Sequence, residues 1–173
     1  PGLWTKAGVA WLRQLGWPTS TQALRRDLLL DEIDGLNRQI RRVEAELDRF
    51  SHGHVAVFQL MSIPGVGART AEAVVSFLDD PRRFPNSKAV GRYFGLTPSQ
   101  DQSGRTNRLG HITREGSATV RRLLAEAAWQ AVRRSPTVRA YFERVQRNDP
   151  ERKKIALVAT AHYLARVMYA LLR

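Results

Sequence analysis

The stretch QDQSGRTNRLGHITREG, residues 100–116, holds the side chains in this sequence whose types and spacing could do chemistry on a phosphate. Ser103 offers a hydroxyl, and Arg105, Arg108, Arg114, Arg121 and Arg122 follow it. A serine hydroxyl is a weak nucleophile until a base, a charged surrounding or a metal activates it. Asp101 and His111 are near neighbours along the chain, but proximity in sequence does not make an acyl-transfer triad. The arginines could instead hold a phosphodiester and stabilise the extra negative charge of a pentavalent transition state. Gly104 would let the backbone approach DNA closely. The same residues also fit a polar turn at Gln102, Ser103 and Gly104 followed by a solvated arginine face, because Ser-Gly is frequent in turns. Ser99, Ser117 and Ser135 read as turn or cap residues.

Charge points the same way as the arginines. The formal net charge is +12, and an excess of this sign favours a polyanionic partner through phosphate neutralisation and counterion release. Residues 1–102 carry 13 Lys and Arg against 11 Asp and Glu, a net of +2, whereas residues 103–173 carry 15 against 5, a net of +10. The basic field therefore begins at Ser103, and arginine dominates it, which suits bidentate contacts to phosphate. Nucleic acid is the leading partner on these grounds, with an acidic protein or a membrane surface as the lesser alternative. The chain has no cysteine and four histidines, which excludes disulfides and thiolate zinc sites, and the histidines lack a paired helical spacing for a metal. No metal site is expected in this chain.

The elements that must position these groups read as helices. After Gly16, Trp17 and Pro18, the residues Thr19, Ser20 and Thr21 are candidate N-caps for a long helix. In it Leu29, Ile33, Leu36, Ile40, Val43, Leu47 and Phe50 recur at steps of four and three, a heptad seam. Pairing with another chain and packing within its own domain both fit that seam. VFQLMSIPGVGARTAEAVVSFL, residues 57–78, reads as apolar helix, glycine turn, apolar helix. This resembles a helix-hairpin-helix element, in which Gly65, Gly67 and Arg69 would meet a nucleic-acid backbone through amides, a helix N-terminus and charge without reading sequence. A tight pair of helices with no ligand is the alternative. Ser87 can cap a short helix ending at Gly95, and Pro98, Gly104 and Gly110 make 96–115 a polar loop. Three further helices follow, with Ser117 or Gly116 starting the first and Ser135 and Pro136 the second. The last, residues 155–172, is interrupted by His162 and Arg166 and reads as a buried helix, so no membrane partner is expected. The fold class is all-α.

The order of GLWTKAGVAWL, the heptad helix, LMSIPGVGARTAEAVVSFL, FPNSKAVGRYFGLTPSQDQSG, LGHITREGSATVRRLLAEAAWQAV and KKIALVATAHYLARVMYALL resembles the C-terminal part of a bacterial insertion-sequence transposase. The family is the one numbered one hundred and ten, DEDD-type transposases understood as bridge-RNA-guided recombinases. The resemblance implies an upstream RuvC-like domain that holds magnesium, a coiled coil, and a transposase domain that supplies a serine nucleophile. Carried onto this sequence, that serine is Ser103, and it would form a covalent serine–DNA intermediate. Arg105 and Arg108 match the basic positions after the motif loosely, and Ser117 stands where relatives often have Asn, so no catalytic role is assigned there. The implied layout is 1–20 linking from an upstream domain, 21–53 coiled coil and 54–173 transposase domain. No strand pattern carrying the acidic residues precedes Leu3, so this chain is expected to bind DNA, and a guide RNA, and to dimerise through the heptad helix while catalysing little by itself. No cofactor is expected in this chain, and the location implied is the bacterial cytoplasm.

Overall fold

The computed structural model describes residues 2–103 and 106–173, and between residues 101 and 109 the description is of backbone alone. The chain divides into two compact units, Pro1–Arg49 and Phe50–Arg173. The fold is mostly helical, with one two-stranded sheet.

The first unit is built from α1 (Lys6–Gln14) and most of α2 (Ser20–His52). Thr5 caps α1 by accepting a bond from the Gly8 amide at 3.2 Å. Thr19, the first of the three candidate caps, accepts from the Gln22 amide at 3.3 Å at the start of α2. Two arginines tie the helices. Arg13 donates to Asp31 and Asp34, each at 3.0 Å, and Arg26 reaches the Leu15 and Leu12 carbonyls at 2.7 and 3.3 Å, satisfying acceptors left open at the end of α1. Leu30 is buried in this unit. The heptad residues Leu36, Ile40 and Val43 are 51%, 53% and 60% exposed, so the seam is a solvent-facing apolar stripe.

The second unit forms around α8 (Lys153–Leu172), which packs on α5 (Ser87–Tyr93), α6 (Ala118–Arg134), α7 (Pro136–Gln146) and α3 (Val55–Met61). By length and composition α8 could cross a membrane. Here it serves as the core helix, with Ala156, Thr160, Ala161, Leu164, Ala165 and Met168 buried. The alanines of α8 and Ala127, Ala128 and Ala131 of α6 keep both helices thin where they meet, while Leu60, Leu78, Phe94, Leu124 and Leu164 fill the interior. Burying one such leucine contributes about 1.5–3 kcal/mol relative to leaving it in water. Ser117 caps α6 and Ser135 caps α7 with Pro136 at its first turn, in agreement with the sequence.

Two local expectations need correction. The cap of α5 is Asn86, which accepts from the Lys88 and Ala89 amides, rather than Ser87. An asparagine one residue earlier offers the acceptor at the extended position that a cap requires. The segment 96–115 is largely an antiparallel ribbon, β1 (Pro98–Ser103) with β2 (Thr106–Ile112), not a polar loop. Its polar residues fall on both faces, so no alternation of apolar and polar residues marked it as strand. The usable signal was the two-residue glycine-first connection between Ser103 and Thr106.

The turn between α3 and α4 (Ala68–Leu78) sits directly on α6. Gly65 has φ +91°, and a Cβ there would lie 2.4 Å from the Ala131 nitrogen and 2.8 Å from the Ala127 oxygen. Both the left-handed backbone and the contact exclude a side chain. Gly67 is different: it caps α4 in extended conformation, φ −95°, with nothing within 4 Å of an added Cβ. Gly65→Ala is expected to destabilise the second unit by more than about 2 kcal/mol and Gly67→Ala by less than about 1 kcal/mol, as measured by urea unfolding. Equal effects would contradict this packing.

His162 on α8 meets Gly91 of α5 so closely that a Cβ at Gly91 would lie 2.0 Å from the ring. Its Nε2 is buried with no partner. Burial, and then the charge of Arg166, hold its pKa below the ordinary histidine value of 6.5. The folded state thus resists a proton that the unfolded chain accepts, so this contribution leaves stability flat above pH 6.5 and lowers it as pH falls below that value. Comparing unfolding at pH 7.5 and pH 5.5, each about one unit from the ordinary value, should show a loss at the lower pH that His162→Gln reduces.

Candidate nucleic-acid interface

Gly67 leaves the first amides of α4 without a side-chain cap, so a helix N-terminus with its partial positive charge opens to solvent beside the turn. Arg69, one residue into α4, does not project freely from it. Its guanidinium donates to both carboxylate oxygens of Glu72 at 2.8 and 2.9 Å. Glu72 is 4% exposed and also accepts from the Ser51 hydroxyl, so Arg69 compensates a buried carboxylate.

The other arginines singled out in the sequence divide in the same way. Arg121 donates to the Gly116 carbonyl and, at 3.3 Å, to the Phe94 carbonyl, fastening the start of α6 to the end of α5. Arg122 is exposed and makes a loose pair with Glu126 at 3.4 Å. Arg114 is exposed with left-handed backbone, φ +59°, and its amide donates to the Gly95 carbonyl at 3.3 Å. Gly116 packs against the Tyr93 carbonyl and Gly95 against the Arg114–Glu115 backbone, where an added Cβ would be 2.2 and 2.6 Å away. With the Thr113 amide bonded to the Thr97 carbonyl at 2.9 Å, these contacts clamp the base of the ribbon onto the helical body.

Ser103 is the last residue of β1, its Cα opposite Thr106, and Arg108 lies in β2 opposite Asp101. The side chains of Ser103 and Arg108, and all of Arg105, lie outside the described residues. Among the described residues no three His, Asp or Glu side chains come together as a metal would require.

A groove of about 660 Å³ opens where the glycine turn meets the second half of α6. Gly65, Gly67 and Thr70 line one side, with Trp129, Gln130, Arg133, Arg134 and Lys153 among the residues opposite. Arg133, Arg134 and Lys153 are exposed. Sequence reasoning passed over these three because Arg133 and Arg134 read as ordinary cations at a helix C-terminus, and Lys153 lies 83 residues beyond Thr70 in the chain, a pairing that only the packing of α8 creates. The chain thus offers two basic features on one helix. The ribbon joins α6 at its N-terminal end, and the groove lies toward its C-terminal end.

Residues 58–143 match the family described as "Transposase IS116/IS110/IS902 family", a span that takes in the glycine turn, the ribbon and α6. The chain is 30% identical over 152 residues to a Pseudomonas aeruginosa protein named "Probable family 20 transposase", covering 83% of this chain and 43% of that protein. It is 29% identical to the 43.6 kDa protein of insertion element IS110 from Streptomyces coelicolor, covering 84% of this chain and 36% of that one. The transposase for insertion sequence element IS1111A of Coxiella burnetii is 30% identical, with 83% of this chain and 40% of that protein covered. The chain therefore spans less than half the length of these relatives. Over residues 58–143 it carries a transposase domain of the IS116/IS110/IS902 family.

Proposed function

We propose that this chain is the part of a DNA transposase that holds DNA and supplies Ser103 as the nucleophile for strand cleavage and exchange in transposition. The observation that carries this reading is the family match over residues 58–143, which contains the glycine turn, Ser103 and the basic α6 together. The net charge of +12 supports a polyanionic partner. The place of Ser103 as the last residue of β1 supports its reading as a reacting group.

In the proposed step the Ser103 Oγ–phosphorus bond forms while a phosphorus–oxygen bond of the DNA backbone breaks. The serine proton passes to a base, and the leaving deoxyribose oxygen takes up a proton. The described residues do not fit a magnesium site, so no step here is routed through a metal. This chain covers 43% and 36% of two of these relatives, which leaves room for the acidic RuvC-like domain that the family resemblance implies. A guide RNA and a bacterial cytoplasmic setting belong to the same reading.

The test uses the full-length protein containing this chain, with guide RNA and donor and target DNA. Ser103→Ala is expected to lower strand exchange by more than about a thousandfold and to leave DNA affinity within about twofold. Unchanged recombination would overturn the nucleophile.

The exposed stripe of Leu36, Ile40 and Val43 supports a second role, dimerisation with another copy of α2. A purely binding and dimerising module, built on the stripe and the helix-hairpin-helix element, is the alternative to the catalytic reading. Leu36→Asp with Ile40→Asp should convert a dimer to a monomer in sedimentation equilibrium. A wild-type chain that stays monomeric at high concentration would contradict this role.

A further inference from the structure

We infer that the groove between the glycine turn and α6 is a binding site for the sugar-phosphate backbone of duplex DNA, with Arg133, Arg134 and Lys153 as its cations. The inference deepens the DNA-binding part of the proposed function and rests on it, but does not depend on Ser103.

Four observations carry it. The groove has room for a backbone segment, about 660 Å³. Three cations converge on it from α6 and from the start of α8, although they are far apart in sequence. None of the three makes an ion pair among the described residues, in contrast to Arg69 and Arg122, so their charge is available to a ligand. The facing wall is Gly67, where nothing lies within 4 Å of an added Cβ, so a phosphate can come up against main chain. Glu126 also lines the groove, but its carboxylate faces Arg122 one turn away at 3.4 Å.

The geometry selects backbone over bases. An aromatic ring in a basic groove can act as a stacking platform for unpaired bases, but Trp129 is already engaged. The Lys153 ammonium lies over its ring at 5.3 Å, and Phe142 packs against it with centroids 5.8 Å apart. Trp129 thus holds Lys153 in place through a cation–π contact rather than receiving a base. Beside Val66, Ala127 and the Arg122-paired Glu126, the groove presents the Gly67 main chain, the Gln130 amide and three cations, the groups that bind phosphates without reading sequence.

The position of the groove along α6 separates holding from cutting. From the cap Ser117, where the ribbon joins, to Gln130 in the groove is about 20 Å along the helix at 1.5 Å per residue, or roughly six base pairs of B-form DNA. The groove is therefore set apart along α6 from the base of the ribbon, and its loss should weaken binding of DNA.

The experiment measures binding of this chain to a short fluorescein-labelled DNA duplex of mixed sequence, by anisotropy across salt from about 50 to 200 mM. Arg133→Gln, Arg134→Gln and Lys153→Gln together should weaken binding more than tenfold and reduce the slope of log affinity against log salt by about 2 to 3, near 0.9 for each phosphate that is no longer neutralised. A control with Arg38→Gln, Arg41→Gln and Arg42→Gln removes the same charge from α2 and should change affinity less than about threefold. Gly67→Ala, whose methyl meets no protein atom within 4 Å, should weaken binding several-fold with no more than the small change in unfolding expected above. Wild-type binding with the groove variant equal to the control would overturn the groove and leave DNA binding elsewhere on the chain intact. A groove variant that loses single-stranded RNA but keeps the duplex would overturn the duplex assignment. No wild-type binding to duplex would overturn both the groove and the DNA-holding part of the proposed function.

Discussion

The seat of Gly65 on α6 is the contact on which the rest of the second unit's functional surface depends. A turn residue with φ +91° whose missing side chain would overlap the Ala131 nitrogen brings two backbones closer than any other residue type allows. That approach fixes where α4 begins relative to α6. It thereby fixes the open N-terminus at Gly67 opposite Gln130, Arg133 and Arg134. The alanines of α6 and α8 extend the principle, since Ala131 and Ala161 let the central helices meet without bulk between them. The start of α8 then delivers Lys153 to the same groove. Tight packing at glycine and alanine here shapes the groove as much as it produces stability.

The arginines show why composition overstates a binding surface. Arg13 and Arg26 join α1 to α2, Arg69 compensates buried Glu72, and Arg121 fastens α6 to the end of α5. Each is a cation in the formal charge, yet each has its donors turned toward protein. The cations left facing solvent with no carboxylate partner are fewer and more telling than the total. Arg133, Arg134 and Lys153 are three such cations that meet in one concave setting. Arg114 is exposed beside the ribbon.

The helical elements were legible because their signals are local. Ser117 and Ser135 are caps followed by apolar residues at helical spacing, and Leu29 to Phe50 keep a heptad rhythm across α2. Gly65 was legible as a turn residue, whereas its close contact with α6 was not. The ribbon was not legible, since 98–112 alternates poorly and its stability as a pair comes from clamps at Gly95, Thr97 and Gly116 that join segments distant in sequence. The groove was hidden for a related reason: no local pattern announces that residue 153 will face residue 67. Resemblance to a family singled out Ser103 as the proposed nucleophile, while only three-dimensional packing brings Arg133, Arg134 and Lys153 to one groove.

The central claim is that the glycine turn and the C-terminal half of α6 hold a DNA backbone between them. Amide hydrogen exchange of this chain, with and without a mixed-sequence duplex, tests it most directly because it reads the main chain itself. The account predicts added protection at residues 66–70, at the end of α6 through Arg134, and at the start of α8, with the α2 heptad region unchanged by DNA. Protection confined to α1 and α2, or none at the glycine turn, would contradict it.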